Sequence, residues 1–418
     1  MRVAFWRATS PTDPRWADAI SLSFRSLVAH ARHCGEEVEP VYCTTADDLV
    51  AADADLYGVS SVTGTWPLAV DAIRRVQDAW PGRTVVVGGP HITCLPECRP
   101  AGTVAILGEG EPRFSMLCRA INRGYTPPPG EIHPAARMNL ALCGHLPVCA
   151  ETTPGNLMAV ASRGCPFQCW FCCAWRCWSR TGSPSVTRFS PETVAQQIGD
   201  YFRDRPAGGT VVFHDLTFAS SGAWLRDLSI QLAKRGCPEH FRVKGCSFSA
   251  AMARPDILNT LSRLGVEWIG VGIESASPRL YRKLKPHLEF SANIELIELA
   301  RRYGITVNGS FIIGTPGETA EDLQHDYDFL EQYEANGFRQ GGLFMFVPYP
   351  GTPAWADLSA CGTVSAHMDF SALTNGANPD KVRVFYCNPE MPYEEAVEWR
   401  RKLSRLCAEK RKGAGDAA

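Results

Sequence analysis

Short apolar runs alternate with longer stretches of helical spacing from the first residues to about residue 350. Val3-Ala4-Phe5 predicts a strand, Trp16 to Cys34 a helix stopped by Gly35, and Val38 to Val41 a second strand. Leu56-Tyr57-Gly58-Val59-Ser60 predicts a third and runs into polar Ser61-Val62-Thr63-Gly64-Thr65. Trp66 to Trp80 has helical spacing and ends at Pro81-Gly82. Thr84 to Val87 and Val104 to Leu107 are further strands, running into Gly88-Gly89-Pro90-His91 and Gly108-Glu109-Gly110-Glu111. This alternation predicts a Rossmann-like, doubly wound parallel sheet over residues 1–125. Ligands of such sheets sit at the carboxyl ends of the strands, where the glycines and small polar residues gather here.

Residues 126–157 read as a linker, because Pro127-Pro128-Pro129-Gly130 cannot sit inside a helix. Cys143 and Cys149 within it read as buried thiols. From 158 to 355, six strand-helix repeats predict a partial (β/α)6 barrel with its site at the carboxyl ends of the strands. The strands start at Leu157, Thr210, Phe241, Trp268, Thr306 and Gly342. The helices start at Pro191, Trp224, Pro255, Ser291 and Thr319, the first with Ser190 as its N-cap. Residues 356–418 form a short, mostly helical tail with one helix from Tyr393 to Lys410.

A chain of 418 residues exceeds one ordinary core and suits two or three domains. Hydrophobic residues at 45% and charged residues at 21% fit a globular protein. The net charge of −2 gives no global pull toward nucleic acid. No apolar run is long enough to span a bilayer, and the start shows no secretory signal. The 17 cysteines therefore belong in the reducing cytoplasm, as thiols or metal ligands.

Three of them fall at C-x3-C-x2-C spacing in Arg163-Gly164-Cys165-Pro166-Phe167-Gln168-Cys169-Trp170-Phe171-Cys172. Three thiolates can hold three irons of a [4Fe–4S] cluster and leave the fourth iron open to a small chelating ligand. A closed zinc site needs four ligands, usually from two separated pairs, and no second C-x2-C or H-x3-H pair follows. The spacing, the Gly-Cys-Pro start and the aromatic residue before the last cysteine resemble the radical S-adenosylmethionine (SAM) enzymes. That resemblance implies that Cys165, Cys169 and Cys172 ligate the cluster and that Phe171 lies near the adenine of SAM. Cys173, Trp175, Cys177 and Trp178 crowd the next segment and read as shielding of the cluster.

The strand ends extend the resemblance to about residue 355. Gly272-Ile273-Glu274-Ser275 resembles the family's G-I-E-S, which implies that Glu274 accepts hydrogen bonds from the ribose of SAM. Gly314-Thr315-Pro316-Gly317-Glu318 resembles its G-x-P-G-E turn beside adenine. Ser310 stands four residues before Gly314, where the family commonly has glycine. Asp215 in Phe213-His214-Asp215-Leu216 is what remains of F-x-D-D, and by that likeness orients the amino group of SAM. Tyr349-Pro350-Gly351-Thr352-Pro353 resembles the P-G-T-P stretch that closes such barrels.

The first domain resembles the cobalamin-binding domain that precedes the barrel in many radical SAM enzymes. Gly58-Val59-Ser60, Val86 to Thr93 and Gly108 to Glu111 carry the likeness. It implies that Ser60, Thr63, Gly88, Gly89, His91, Gly108 and Glu109 surround a cobalamin. The dinucleotide fingerprint after the first strand is absent, as is the D-x-H-x-x-G cobalt motif, so His91 reads as a loop hydrogen-bonding residue. A Rossmann-like domain without a cofactor is the alternative.

Together these features imply a cobalamin-dependent radical SAM enzyme that methylates an unactivated carbon of a small molecule. An electron donor such as flavodoxin or ferredoxin would serve it. Cys387, in Phe385-Tyr386-Cys387-Asn388, is a candidate hydrogen-atom donor. A non-methylating radical SAM enzyme (epimerase, mutase or oxidative cyclase) is the alternative, and a metal-dependent sensor is a third reading.

Overall fold

The computed structural model describes residues 1–8, 22–132, 138–178, 184–373 and 379–415. The expected first helix begins at Trp16, so its opening turn lies outside the described residues.

The first sheet takes β1 (Arg2–Arg7), β2 (Glu39–Cys43), β3 (Leu56–Ser60), β4 (Thr84–Gly88), β5 (Val104–Ile106) and β6 (Gly130–Ile132). Their order is β2-β1-β3-β4-β5-β6, all parallel, so the strand order reverses beside β1. Helices α1 (Leu22–His33), α2 (Ala46–Ala51), α3 (Trp66–Ala79), α4 (Pro90–Cys94) and α5 (Glu111–Asn122) connect them. Val3 and Phe5 pack on α1 and α5, while Ala4 and Trp6 face the opposite core. Both faces of β1, β3, β4 and β5 are covered, which is why their sequences read as continuous apolar runs.

The second sheet is seven-stranded, in the order β15-β14-β13-β12-β11-β8-β7. Six strands are parallel: β8 (Asn156–Ala159), β11 (Gly209–Phe213), β12 (Phe241–Ser247), β13 (Trp268–Glu274), β14 (Thr306–Ile313) and β15 (Phe338–Met345). These are the six expected barrel strands. The seventh, β7 (Cys149–Thr153), pairs antiparallel with β8. Residues 126–157, expected to be a linker, thus supply β6 to one sheet and β7 to the other. A ribbon of β9 (Ser162–Arg163) and β10 (Thr187–Arg188) flanks the cysteine loop.

Helices α6 (Ala174–Cys177), α7 (Pro191–Phe202), α8 (Gly222–Ala233), α9 (Pro255–Arg263) and α10 (Pro278–Leu284) lie between the strands. So do α11 (Ser291–Arg302) and α12 (Ala320–Tyr333). The tail adds α13 (Pro353–Ala360), α14 (Pro379–Val382) and α15 (Tyr393–Gly415). Ser190 caps α7, and Thr319 with Asp322 forms a capping box on α12. One apolar core runs from the far face of the first sheet through the barrel and into the tail. No helix among the described residues is long and apolar enough to cross a membrane.

Helix α12 holds the loop after β13 through a buried acid. Asp326 Oδ1 accepts from Ala276 N at 2.5 Å and from Ser275 Oγ at 3.2 Å. Burial, helped by nearby Asp322, pushes the Asp326 carboxyl up to about 8. The folded chain therefore keeps a proton that the unfolded chain releases above its ordinary value of 3.8. A raised acid costs stability as pH climbs through that window. Asp326→Asn should raise the melting temperature at pH 8 and change it little near pH 4. An equal shift at both pH values, measured by thermal melts, would contradict this origin.

Candidate cluster and cofactor sites

The cysteine loop leaves the barrel's first parallel strand through β9 and is pinned from several sides. Trp170 N donates to Leu284 O at 3.0 Å, and Ala354 N donates to Trp170 O at 2.9 Å. Trp170 Nε1 donates to Asp357 at 2.7 Å, and its ring stacks on Phe346 with centroids 5.6 Å apart. Phe167 stacks on His287 at 4.4 Å. Cys165, Cys169 and Cys172 are half-buried, as is Phe171. Three thiols on one short loop are a donor set that suits three irons of one cluster. Burial pushes Cys169 and Cys172 up to about 12, so both remain thiols until iron displaces the proton.

Glu274 stands at the end of β13 with φ of 65°, a left-handed conformation that costs a non-glycine residue energy. The β13–β14 register shifts between Gly272 and Glu274. A Cβ at residue 272 would overlap Glu274 Oε1, so glycine there makes room for the carboxylate. Glu274 is buried and pairs with Lys285 Nζ at 3.3 Å. Burial raises its carboxyl against the pull of Lys285. Burial would lower Lys285, but Glu274 beside it holds it above its ordinary value. Lys285 Nζ also donates to Gly272 O, and the neighbouring Leu284 O accepts from Trp170 N of the cysteine loop. Lys285 escaped sequence reasoning; a lysine closing an apolar helix turn in Leu284-Lys285-Pro286 was the available signal.

The loop after β14 turns at Gly314. Gly314 has φ of 81°, and its N donates to Glu318 Oε2. Thr315 Oγ1 is buried without a protein partner, which leaves a polar atom for a ligand. Pro316 O accepts from Lys283 Nζ at 2.6 Å. The tail closes on this turn: Asn388 Oδ1 accepts from Gly317 N at 2.9 Å, and Asn388 Nδ2 donates to Glu318 O at 2.8 Å. Cys387, next to Asn388, is half-buried, and burial pushes its thiol up to about 11. Ser310 sits opposite Gly272 on β14, half-buried.

Asp215 and Glu109 have partners of another kind. Asp215 accepts from Ala161 N at 3.1 Å and from Ser162 Oγ, and burial pushes it up to about 6. The structure places it under the strand entering the cysteine loop. Glu109 accepts from Met138 N at 2.8 Å and lies 3.4 Å from Arg163 Nη1. Arg163 Nη2 also reaches Glu111 at 2.6 Å and Ser26 Oγ at 3.1 Å. The arginine that opens the cysteine motif is thus inserted between two carboxylates of the first domain.

At the carboxyl ends of β3 and β4, Gly89 has φ of 100°, and a Cβ there would come within 2.7 Å of Ser60 Oγ and Ser61 O. Gly88 has ordinary space, its Cβ meeting only Ile106 O at 3.6 Å. Gly108, in the loop after β5, donates its N–H to Thr93 Oγ1 at 3.1 Å. His91 is fully buried between Trp66 and Phe370, with centroids 4.4 and 4.7 Å away. Its Nδ1 lies 3.4 Å from Thr63 Oγ1, and burial pushes it down to about 4. Ser61 Oγ and His91 Nε2 are buried without protein partners. Unpaired polar atoms beside a glycine-lined strand end fit a polar cofactor tail.

The B12 binding domain family matches residues 1–117, and the Radical SAM superfamily matches residues 160–330. An uncharacterized methyltransferase of Pyrococcus horikoshii is 25% identical over 328 residues, covering 72% of this chain and 69% of the relative. The hopanoid C-2 methylase of Rhodopseudomonas palustris is 25% identical over 333 residues, covering 78% and 60%. The anaerobic magnesium-protoporphyrin IX monomethyl ester cyclase of Cereibacter sphaeroides is 24% identical, covering 81% and 60%. Among solved structures, the radical SAM methyltransferase TsrM of Kitasatospora setae, with cobalamin and a [4Fe-4S] cluster bound, superposes with a TM-score of 0.68 at 15% identity. That match covers 97% of this chain and 88% of TsrM, and it shows a shared fold. The chain thus pairs a B12 binding domain with a Radical SAM superfamily domain, bridged by Arg163, and the cofactors of that pairing are a [4Fe–4S] cluster, SAM and cobalamin.

Proposed function

We propose that this enzyme transfers a methyl group from SAM, by way of cobalamin, to an unactivated carbon of a small molecule. The observation that carries the reading is the docking of the first domain's strand-end loop on the cysteine motif through Arg163, Glu109 and Glu111. Relatives named as methylases and methyltransferases support it. When bound, the cluster supplies the electron that cleaves SAM to a 5′-deoxyadenosyl radical, and cobalamin carries the methyl group. The chain's own part is to hold, orient and exclude water. Cys165, Cys169 and Cys172 hold the cluster. Glu274, Ser310, Gly314, Pro316 and Phe171 surround SAM, with Lys285 offering a cation and Thr315 a hydroxyl. Ser60, Thr63, Gly88, Gly89 and Gly108 line the cobalamin face, and His91 supports the loop without ligating cobalt. Glu109 and Asp215 act as positioning residues. Cys387 keeps its S–H at neutral pH, the form a hydrogen-atom donor requires. Seventeen unpaired cysteines suit the cytoplasm, where a flavodoxin or ferredoxin supplies electrons.

Glu274→Gln tests the SAM assignment. It keeps the shape but removes a charge-assisted hydrogen bond worth ~1.5–3 kcal/mol, so SAM affinity should fall roughly 10- to 150-fold. The cluster spectrum should remain. Unchanged affinity in a binding titration would remove Glu274 from the site.

The reaction is tested by product analysis. Methyl transfer through cobalamin consumes two SAM molecules per turnover. S-adenosylhomocysteine and 5′-deoxyadenosine should form in comparable amounts, with label from methyl-labelled SAM in the product. The cyclase relative favours the rival reading, a non-methylating radical enzyme. That enzyme would give 5′-deoxyadenosine without substrate-dependent S-adenosylhomocysteine. Full-rate product formation by cobalamin-free protein would overturn methyl transfer.

A further inference from the structure

Three cysteines outside the C-x3-C-x2-C motif converge where the two domains meet. Cys94 is the last residue of α4 in the first domain. Cys173 is the N-cap of α6 and Cys177 its last residue, one helical turn on. Their sulfurs all lie within 4.8 Å of one another, and Cys94 Sγ is 3.7 Å from Cys177 Sγ. A disulfide would bring two sulfurs to about 2.05 Å, so this is not one. Sulfurs around one tetrahedral zinc ion, each bonded at about 2.3 Å, stand about 3.8 Å apart. The Cys94–Cys177 separation is that of two ligands around a single ion, and Cys173 Sγ lies within 4.8 Å of both.

The surroundings make room for such a site. Gly351, in the turn that closes the barrel, has φ of 79°, and a Cβ there would come within 2.7 Å of Cys94 Sγ. The backbone therefore gives way at the sulfur. An all-thiol donor set selects soft ions such as zinc over magnesium or calcium. Three protein ligands also leave a fourth corner of the tetrahedron for water.

We propose that Cys94, Cys173 and Cys177 bind one zinc ion that clamps the first domain to the segment leaving the cysteine loop. The clamp joins two functional loops at their ends. Cys94 lies three residues beyond His91, and Cys173 directly follows Cys172. The ion fixes the cobalamin-side helix against the cluster side of the barrel, and zinc takes no part in electron transfer because it has no accessible redox change. Its binding displaces thiol protons.

The test uses the full chain, reconstituted with iron and sulfide, loaded with cobalamin without oxygen, exposed to zinc salt and desalted. Zinc and iron are then counted by mass spectrometry. Wild type should hold about one zinc per chain, and X-ray absorption at the zinc edge should show three sulfur ligands near 2.3 Å. The Cys165, Cys169 and Cys172 triple alanine variant should keep this zinc. Cys94→Ser, which keeps the side chain's size, should lose it and retain wild-type iron. Wild type without zinc overturns the proposal, and so does full zinc in Cys94→Ser. Zinc lost only with the triple variant assigns the ion to the cluster loop and also overturns it. A Cys94–Cys177 disulfide in zinc-free anaerobic protein does the same.

Discussion

A chain with alanine at Cys165, Cys169 and Cys172 together should retain almost no iron or acid-labile sulfide in a cluster after anaerobic reconstitution, against about four irons per chain for wild type. The expectation is sharp because the loop's shape does not depend on its sulfurs. Trp170 is anchored by Leu284, Ala354 and Asp357, and Phe167 by His287. The variant should therefore keep its circular dichroism and lose the brown chromophore. Iron content equal to wild type would show that other groups hold the cluster.

Arg163→Met should produce the largest loss of stability of any single change considered. The guanidinium is 11% exposed and lies between Glu109 and Glu111, whose side chains are 3% and 5% exposed. Burial pushes Glu111 up, yet Arg163 and Ser26 hold its carboxyl below the ordinary range. Removing the cation leaves two buried carboxylates facing each other, and breaking a buried pair in this way costs about 3–5 kcal/mol. Urea unfolding should register that loss, and Glu109→Gln with Glu111→Gln should recover part of it. A loss below about 1 kcal/mol would mean that water already reaches the carboxylates.

The barrel strands were legible because apolar residues recur at alternate, buried positions along them, as at Val211 and Phe213 and at Val307, Phe311 and Ile313. Helix starts were legible where a cap wrote them, as at Ser190 and Thr319. Short elements held by backbone pairing were not. Strand β7 reads Cys149-Ala150-Glu151-Thr152-Thr153, largely exposed, and only its partner β8 makes it a strand. Helix α2 buries Leu49 alone and rests on the Thr45–Asp48 capping box. At the sites, residue types were legible and partners were not. Glu109 and Asp215 both appear at strand ends, where ligands gather. Their bonds to Arg163 and to Ser162 join residues 54 and 53 positions apart, which no local pattern encodes. The Cys94–Cys177 approach spans 83 positions and was hidden for the same reason.

The docking of Phe370 on His91 and the bond from Cys98 Sγ to Ala366 O, 268 positions apart, tie the tail to the first domain. On a ribosome adding roughly 5–20 residues per second, those partners emerge roughly 13 to 54 seconds apart. The first sheet can close while the strand-end loops around His91 still lack their cover. Synthesis itself thus orders assembly, with the cofactor face open early and sealed only once Phe370 has appeared.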